Sequence, residues 1–261
     1  PEIFYFRQGD TDDLDKGGGH GGARSMHQGG TAVLMAAEGL IENAKRLAAS
    51  LLQTSADALR YEAGMLRIAA TGQEISLEDV ALASYEAPSD EVAPGLAHRA
   101  THLNDQYTFP NGCHIAEVEI DPETGAVALD RYVIFDDFGR LLDPRLTLSQ
   151  VHGGVTQGIG QALLEQALFD AETGQNLSGS LMDYALPRAD DIPSFEGALT
   201  PDFPSRANRL GVKGSGQAGA IASPATVMNA VMNALAPLGV KHLDMPATPA
   251  RVWEAIRKAR G

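Results

Sequence analysis

The chain has 261 residues, 44% of them hydrophobic and 21% charged, enough to bury a core in one or two domains. Its 20 Lys and Arg against 34 Asp and Glu leave a formal net charge of −14, which repels phosphate backbones and anionic membrane surfaces and argues against nucleic acid or membrane as a partner. One cysteine, Cys113, excludes a disulfide, a four-cysteine iron–sulfur site or a cysteine-rich zinc site built from this chain alone.

No charged-then-apolar leader is visible, and no apolar run approaches the ~20 residues of a membrane span, so the expectation is a cytoplasmic protein. Because the global field opposes anions, any anionic ligand must be held by local devices such as backbone amides, helix N-termini or a single Lys or Arg. That directs attention to glycine-rich turns.

The chain opens at Pro1 and runs into Ile3-Phe4-Tyr5-Phe6, which reads as the inside of a strand and suggests a piece of something longer. An acidic loop follows from Asp10 to Asp15, then Gly17-Gly18-Gly19-His20-Gly21-Gly22-Ala23-Arg24-Ser25. A helix is predicted from about Thr31 to Leu52, with Val33, Leu34, Ala37, Leu40, Ile41, Ala44, Leu47, Ala48 and Leu51 as its core stripe and Glu38, Glu42, Lys45 and Arg46 on its polar face. Leu59 to Ala70, broken at Ala63-Gly64, reads as a hairpin, and Ser76 as the N-cap of a short helix; Pro88 to Pro94 reads as a loop.

A second hairpin runs from Ile115–Ile120 through Asp121-Pro122-Glu123-Thr124-Gly125 to Val127–Phe135. Gln150-Val151-His152-Gly153-Gly154 opens an apolar-periodic stretch to Leu168, with Gly154, Gly158 and Gly160 inside it; these ask for close approach by a backbone or a ligand. The last third holds the loop Gly211-Val212-Lys213-Gly214-Ser215-Gly216-Gln217-Ala218-Gly219, a helix from about Pro224 to Ala236 and another from Pro249 to about Ala259, each proline at a first-turn position. Strands and helices mix without a steady βαβ rhythm, so the fold class expected is α+β.

Three glycine segments are candidates for gripping an anionic organic cofactor. Gly17 to Ser25 presents backbone amides before a helix, with Arg24 and Ser25 at hand; a surface turn is the bland alternative. Gln150 offers an amide just ahead of a glycine-packed helix, where close packing alone also explains the glycines. Gly214-x-Gly216-x-x-Gly219 matches the dinucleotide fingerprint formally, with Asp244 as a distant acid, but the remaining chain leaves no room for a doubly wound sheet. Lys213 precedes the glycines, so this is not a P-loop.

Taken in order, Gln8-Gly9-Asp10-Thr11-Asp12, the Gly17 to Ser25 loop, Gly112-Cys113-His114-Ile115-Ala116-Glu117-Val118, Gln150-Val151-His152-Gly153-Gly154, Gln157-Gly158-Ile159-Gly160, Met182-Asp183-Tyr184, Gly211 to Gly219 and Asn229-Ala230-Val231 resemble the molybdopterin-binding large subunit of molybdenum hydroxylases, the xanthine dehydrogenase and aldehyde oxidase family. The resemblance spans essentially the whole chain and implies that residues 1–261 form the C-terminal portion of the molybdopterin-binding domain, in one or two subdomains. It implies cofactor contacts from His20, Gly21, Gly22, Ala23, Arg24, Ser25, Gln150, Lys213 and Gly216. The implied cofactor is molybdenum with molybdopterin cytosine dinucleotide.

The implied reaction is hydroxylation of an aldehyde or an aromatic N-heterocycle, or oxidation of carbon monoxide, with water as the oxygen source. FAD and 2Fe-2S centres are then expected on partner chains or domains, together with an N-terminal portion of the large subunit, in an oligomer. The resemblance places the family's base glutamate at Gln217. An amide accepts and donates hydrogen bonds but takes up no proton, so either another group is the base, with His20 and then His152 as candidates, or the reaction needs no base here, or the protein is an inactive or altered cofactor-binding paralogue. Asp183 and Glu165 read as structural. A nicotinamide-binding domain is the third reading.

Overall fold

A computed structural model describes residues 4–14, 17, 19–86, 92–103 and 105–261. The chain divides into two compact units, the first made of residues 1–24, 106–207 and 211–261 and the second of residues 25–105 and 208–210. The fold class is α+β, with two three-stranded sheets and five α-helices among the described residues.

In the second unit a six-residue π-helical turn, Ser25–Gly30, runs into α1, Thr31–Leu51. The predicted helix is present, but its stripe is not uniform: Ala44 and Ala48 are fully buried, whereas Val33 and Leu51 are exposed and only the second half of the helix faces the core. On the polar face Lys45 pairs with Glu42 at 2.8 Å, and Arg209 grips Glu38 with two bonds of 2.8 Å. The expected hairpin is β1, Leu59–Glu62, with β2, Met65–Ile68, turning where Ala63 and Gly64 both take positive φ. β3, Glu74–Ser76, adds a third antiparallel strand the sequence did not announce. Ser76 accepts from the Asp79 amide at 3.0 Å and so caps α2, Leu77–Glu86, as expected. Of the predicted loop at Pro88 to Pro94, residues 88–91 lie outside the described ones, and Pro94 begins a short 3-10 turn.

The first unit is built on β4, Asn111–Ile120, and β5, Val127–Asp137, an antiparallel pair with a bulge at Glu117/Val118. Asp121 closes the turn by accepting from the Glu123 amide at 2.9 Å and the Thr124 hydroxyl at 2.7 Å. β6, Phe195–Thr200, runs parallel to β5 from Tyr132↔Phe195 to Asp137↔Thr200, so the connection between them is a crossover carrying α3, Pro144–Leu163. α4, Ala218–Leu235, and α5, Pro249–Arg260, complete the unit. Tyr132, Ile134, Phe138, Val151, Val155, Ile159, Val227, Val231, Leu235, Val252 and Ile256 form its core.

Several expectations fail here for identifiable reasons. Ile3 lies outside the described residues, and Phe4, Tyr5 and Phe6 are exposed without strand pairing; apolar character alone does not supply a partner strand. The helix expected to open at Gln150 starts at Pro144, because Asp143 caps it through the Arg145 and Leu146 amides at 3.0 Å each, and it stops at Leu163. Gln150 is therefore within the helix rather than ahead of it. α4 begins six residues before Pro224, which sits inside it. With its short extension, Ala218–Leu238 is 21 residues of mean hydropathy 1.2, long and apolar enough to cross a bilayer where no such run was expected. In this fold it is a packing helix, with Gly219, Ser223, Val227, Val231 and Leu235 buried.

α3 and α4 touch through their glycines. A Cβ on Gly154 would come within 2.8 Å of the Ala220 nitrogen and 3.1 Å of the Gly219 Cα, and one on Gly219 would overlap the Val151 carbonyl and reach 2.7 Å from the Val155 nitrogen. Close helix packing thus accounts for these two glycines. It also fixes where α4 begins.

Candidate functional site

The loop 211–217 is anchored at both ends before it reaches α4. The Gly211 carbonyl accepts from the Arg140 and Ser205 amides at 2.9 Å each, and the Lys213 amide donates to the Phe138 carbonyl at 2.9 Å, making the bridge between Gly139 and Val212. Gly139 has φ +63, and a Cβ there would overlap the Gly211 carbonyl, so only glycine admits this approach.

Lys213 is placed differently from what its type suggests. Its Nζ donates to the carboxylate of Asp137, and both side chains are 11% exposed. The other Asp137 oxygen accepts from the Gly139 amide at 2.7 Å. The ammonium charge is thus matched inside the protein.

The three glycine segments come together within the first unit. A Cβ on Gly214 would overlap the Ala23 methyl, while one on Gly216 would meet nothing nearer than that methyl at 3.9 Å. Ala23 holds φ +54 and Gly22 φ +59, the former an uncommon conformation for a residue with a side chain and a frequent companion of function. Arg24 donates to the Gly19 carbonyl at 3.2 Å, closing the 19–24 turn. From α3, the Gln150 side-chain amide donates to the Gly216 carbonyl at 2.8 Å. Gln217 is the N-cap residue of α4, is exposed, and supplies no side-chain cap to the helix's free amides.

His20 and Gly21 are exposed in the same turn, whereas Ser25 opens the π-helical turn of the other unit. Gly18 lies outside the described residues, as do Asp15 and Lys16 beside it. His152 packs edge-on against Phe195 at 5.1 Å between centroids, and its burial pushes the imidazole pKa down. Tyr184 donates to Glu165 at 2.6 Å, and Ser180 donates to Asp183 at 2.9 Å, so both carboxylates hold local structure. Among the described residues no three His, Cys, Asp or Glu side chains gather as a metal site.

The sequence reading missed two acids at the end of β5. Asp137 is one. The other, Asp136, begins a buried chain: it contacts Nε2 of His114 on β4 at 3.1 and 3.2 Å, and His114 Nδ1 lies 2.9 Å from the Tyr132 hydroxyl. Burial, with the nearby Asp136 charge, pushes the Tyr132 phenol up to about 12 against a lowering bond from Thr226. A Cβ on Gly112 would overlap Asp136 and lie 2.9 Å from the Phe135 carbonyl. Two adjacent acids ending an apolar strand before a glycine were the available signal.

The fit of these segments to an anionic, flat cofactor rests on their chemistry. The cradle is made largely of backbone with small or absent side chains, Gly216 is open, α4 is uncapped, and the Lys213 charge is matched internally, so oriented amides, with Arg24 beside them, are what the cradle offers an anion. The formal dinucleotide match fails as a fold: a single bridge precedes it, and no strand follows α4 among the described residues.

Comparison with known proteins gives the same direction. The model of the molybdopterin cofactor-binding domain family matches residues 1–193. The 6-hydroxypseudooxynicotine dehydrogenase complex subunit gamma of Paenarthrobacter nicotinovorans is 35% identical over 255 residues, covering 97% of this chain and 32% of that protein. The carbon monoxide dehydrogenase large chain of Hydrogenophaga pseudoflava is 34% identical over 260 residues, 98% of this chain and 32% of that protein. Among solved structures, reconstituted CO dehydrogenase from Oligotropha carboxidovorans is similar with a TM-score of 0.89 and 29% identity over 97% of this chain and 32% of that one. Quinoline 2-oxidoreductase from Pseudomonas putida 86 has a TM-score of 0.81 and 31% identity over 91% of this chain and 30% of that one. The chain thus spans about a third of the length of the curated relatives it matches.

Proposed function

Since the chain belongs to the molybdopterin cofactor-binding domain family, we propose that its first unit supplies one wall of the cofactor site of a molybdenum hydroxylase. The reaction is hydroxylation of a small aldehyde or aromatic N-heterocycle, or oxidation of carbon monoxide. The observation that carries this reading is the meeting of three distant segments: Gly214 closed against Ala23, and Gly216 held by Gln150.

Residues His20 to Arg24, Gln150 and the amides around Gly216, all of the first unit, would hold the cofactor. A molybdopterin cytosine dinucleotide suits a site built from amides, because its pyrophosphate is the kind of group such donors bind without a matching cation. When bound, the molybdenum centre supplies two-electron oxidation of a substrate with an oxygen atom that originates in water. A 2Fe-2S centre needs several cysteine ligands and this chain has one, so such centres, together with FAD, belong on partner subunits or domains. The relatives' names, a complex subunit gamma and a large chain, support an assembly of several subunits.

Within this chain, Gln217 orients by hydrogen bonding and holds no transferable proton. His20, exposed in the cradle, is the first candidate of this chain to accept one, and His152 the second. Gln217 also supports a second reading, a cofactor-binding paralogue with altered or no activity. Metal and pterin analysis of the full-length complex tests the first reading: stoichiometric molybdenum is expected, and its absence overturns it. Reduction of an artificial acceptor dependent on an aldehyde, an N-heterocycle or carbon monoxide then removes the paralogue reading.

A further inference from the structure

We propose that Lys213 is an internal clamp and not a ligand of the cofactor, and that Asp137, at the end of β5, is the positioning residue that sets it. This rests on the cofactor reading above and assigns the loop's positive charge a different task.

Three observations lead there. The Lys213 ammonium donates to the Asp137 carboxylate with both side chains 11% exposed, so withdrawing it toward a ligand would leave a charge in a mostly buried place. The same carboxylate accepts from the Gly139 amide at 2.7 Å, and the Lys213 amide donates to the Phe138 carbonyl at 2.9 Å, so side chain and backbone tie the loop to one strand end. From that tie the chain needs only Gly214 and Ser215 to reach Gly216, whose carbonyl Gln150 holds from the other side at 2.8 Å. The loop is pinned on both sides of its open glycine. What the clamp presents outward is backbone, and the Asp137 charge makes the local net charge of the pair zero.

A direct ligand and a clamp respond oppositely when the carboxylate is neutralised. Asp137→Asn keeps an acceptor for Gly139 but no longer neutralises Lys213; a lysine that binds the anionic cofactor would be released by the change and bind it as well or better. A clamp would be broken.

The experiment uses the full-length subunit in its assembled complex, with Asp137→Asn, Lys213→Met and the double variant, reading molybdenum per subunit and amide hydrogen exchange of residues 211–216. Each single variant is expected to weaken cofactor retention about ten-fold and to speed exchange in the loop by a similar factor. The double variant should be no worse than the worse single one, since both act through one contact. Lys213→Arg, which can still pair with Asp137, should keep molybdenum near the wild-type level, and a core variant such as Val231→Ala should lower the melting temperature without emptying the site.

Retained or raised molybdenum in Asp137→Asn beside an empty Lys213→Met would overturn the clamp. So would losses that multiply in the double variant. Should Asp137→Asn fail to assemble, the double variant decides: it buries no unmatched charge, and it must recover assembly if the pair is a clamp. Wild-type protein without molybdenum would sink the cofactor reading alone, and loop exchange would still judge the clamp.

Discussion

The side-chain amide of Gln150 donates to the backbone carbonyl of Gly216 at 2.8 Å, joining residues 66 positions apart. A residue in the middle of α3 thereby fixes the last free carbonyl before α4. Gln150→Leu removes one exposed hydrogen bond and should cost about 1 kcal/mol, a drop of roughly 2–4 °C in melting temperature. Gln150→Glu should cost more, because a carboxylate would face a carbonyl. Thermal unfolding checks the order, and molybdenum content should fall in the same order.

The two neighbouring glycines of α3 should respond to alanine with opposite signs. At Gly153 a Cβ meets nothing within 4 Å, whereas at Gly154 it presses on the backbone of α4. Gly153→Ala should stabilise by about 0.5–1 kcal/mol through helix propensity. Gly154→Ala and Gly219→Ala should destabilise by about 1–3 kcal/mol or more, since the obstructing atoms are main chain. Equal effects at positions 153 and 154 in denaturant melts would refute this account of the helix crossing.

How far the fold was legible follows the same local-versus-distant division. α1, the β1–β2 hairpin and the β4–β5 hairpin were readable because their signals are local: a repeating apolar stripe, Ala63-Gly64, and Asp121 to Gly125 between alternating runs. β6 was not, since its partner β5 lies some 60 residues back and only tertiary placement makes Phe195–Thr200 a strand. The start of α3 was within reach, because Asp143-Pro144 is an N-cap followed by a first-turn proline. Pro224 misled for the same reason, being a helix proline whose chain had already turned helical. The three glycine segments of the candidate site could be found by composition, but the pairing of Lys213 with Asp137 joins a loop to a strand end 76 residues away and leaves no trace in either neighbourhood.

Alkaline stability should carry the signature of Tyr132. Its phenol is raised from 10 to about 12 by burial, so the folded state holds the proton more tightly than the unfolded chain. The contribution is whole below pH 10 and is lost as pH climbs from 10 toward 12, a fall on the order of 2–3 kcal/mol. Denaturant titrations between pH 9 and 12 should show this slope in the wild type and a shallower one in Tyr132→Phe. His152 works at the other end: its pKa is lowered by burial, so its contribution is present above the ordinary histidine value of 6.5 and is lost as pH falls below it.

Gln217→Glu places a carboxylate at the N-cap of α4, where the helix's positive end favours it. Stability should rise by about 0.3–1 kcal/mol at low ionic strength and less in high salt. If the missing proton acceptor limits the wild-type reaction, turnover of the assembled complex should rise by about 100-fold. Unchanged turnover with improved stability would move the proton to another group, His20 first, and a His20→Ala variant would then lose far more turnover than molybdenum, so that activity per bound molybdenum falls.

Asp136 and Asp137 end the same strand on opposite faces, one reaching His114 beneath the sheet and the other Lys213 above it. A slip of β5 by one residue turns its buried face outward and leaves one partner without an acid: one direction brings Phe138 to the place of Asp137 beside Lys213, the other brings Phe135 to the place of Asp136 beside His114. Adjacent acids with separate addressees thus act as a built-in error check on strand alignment. A misaligned hairpin is penalised twice, once in the core and once at the loop, before any cofactor could stabilise it.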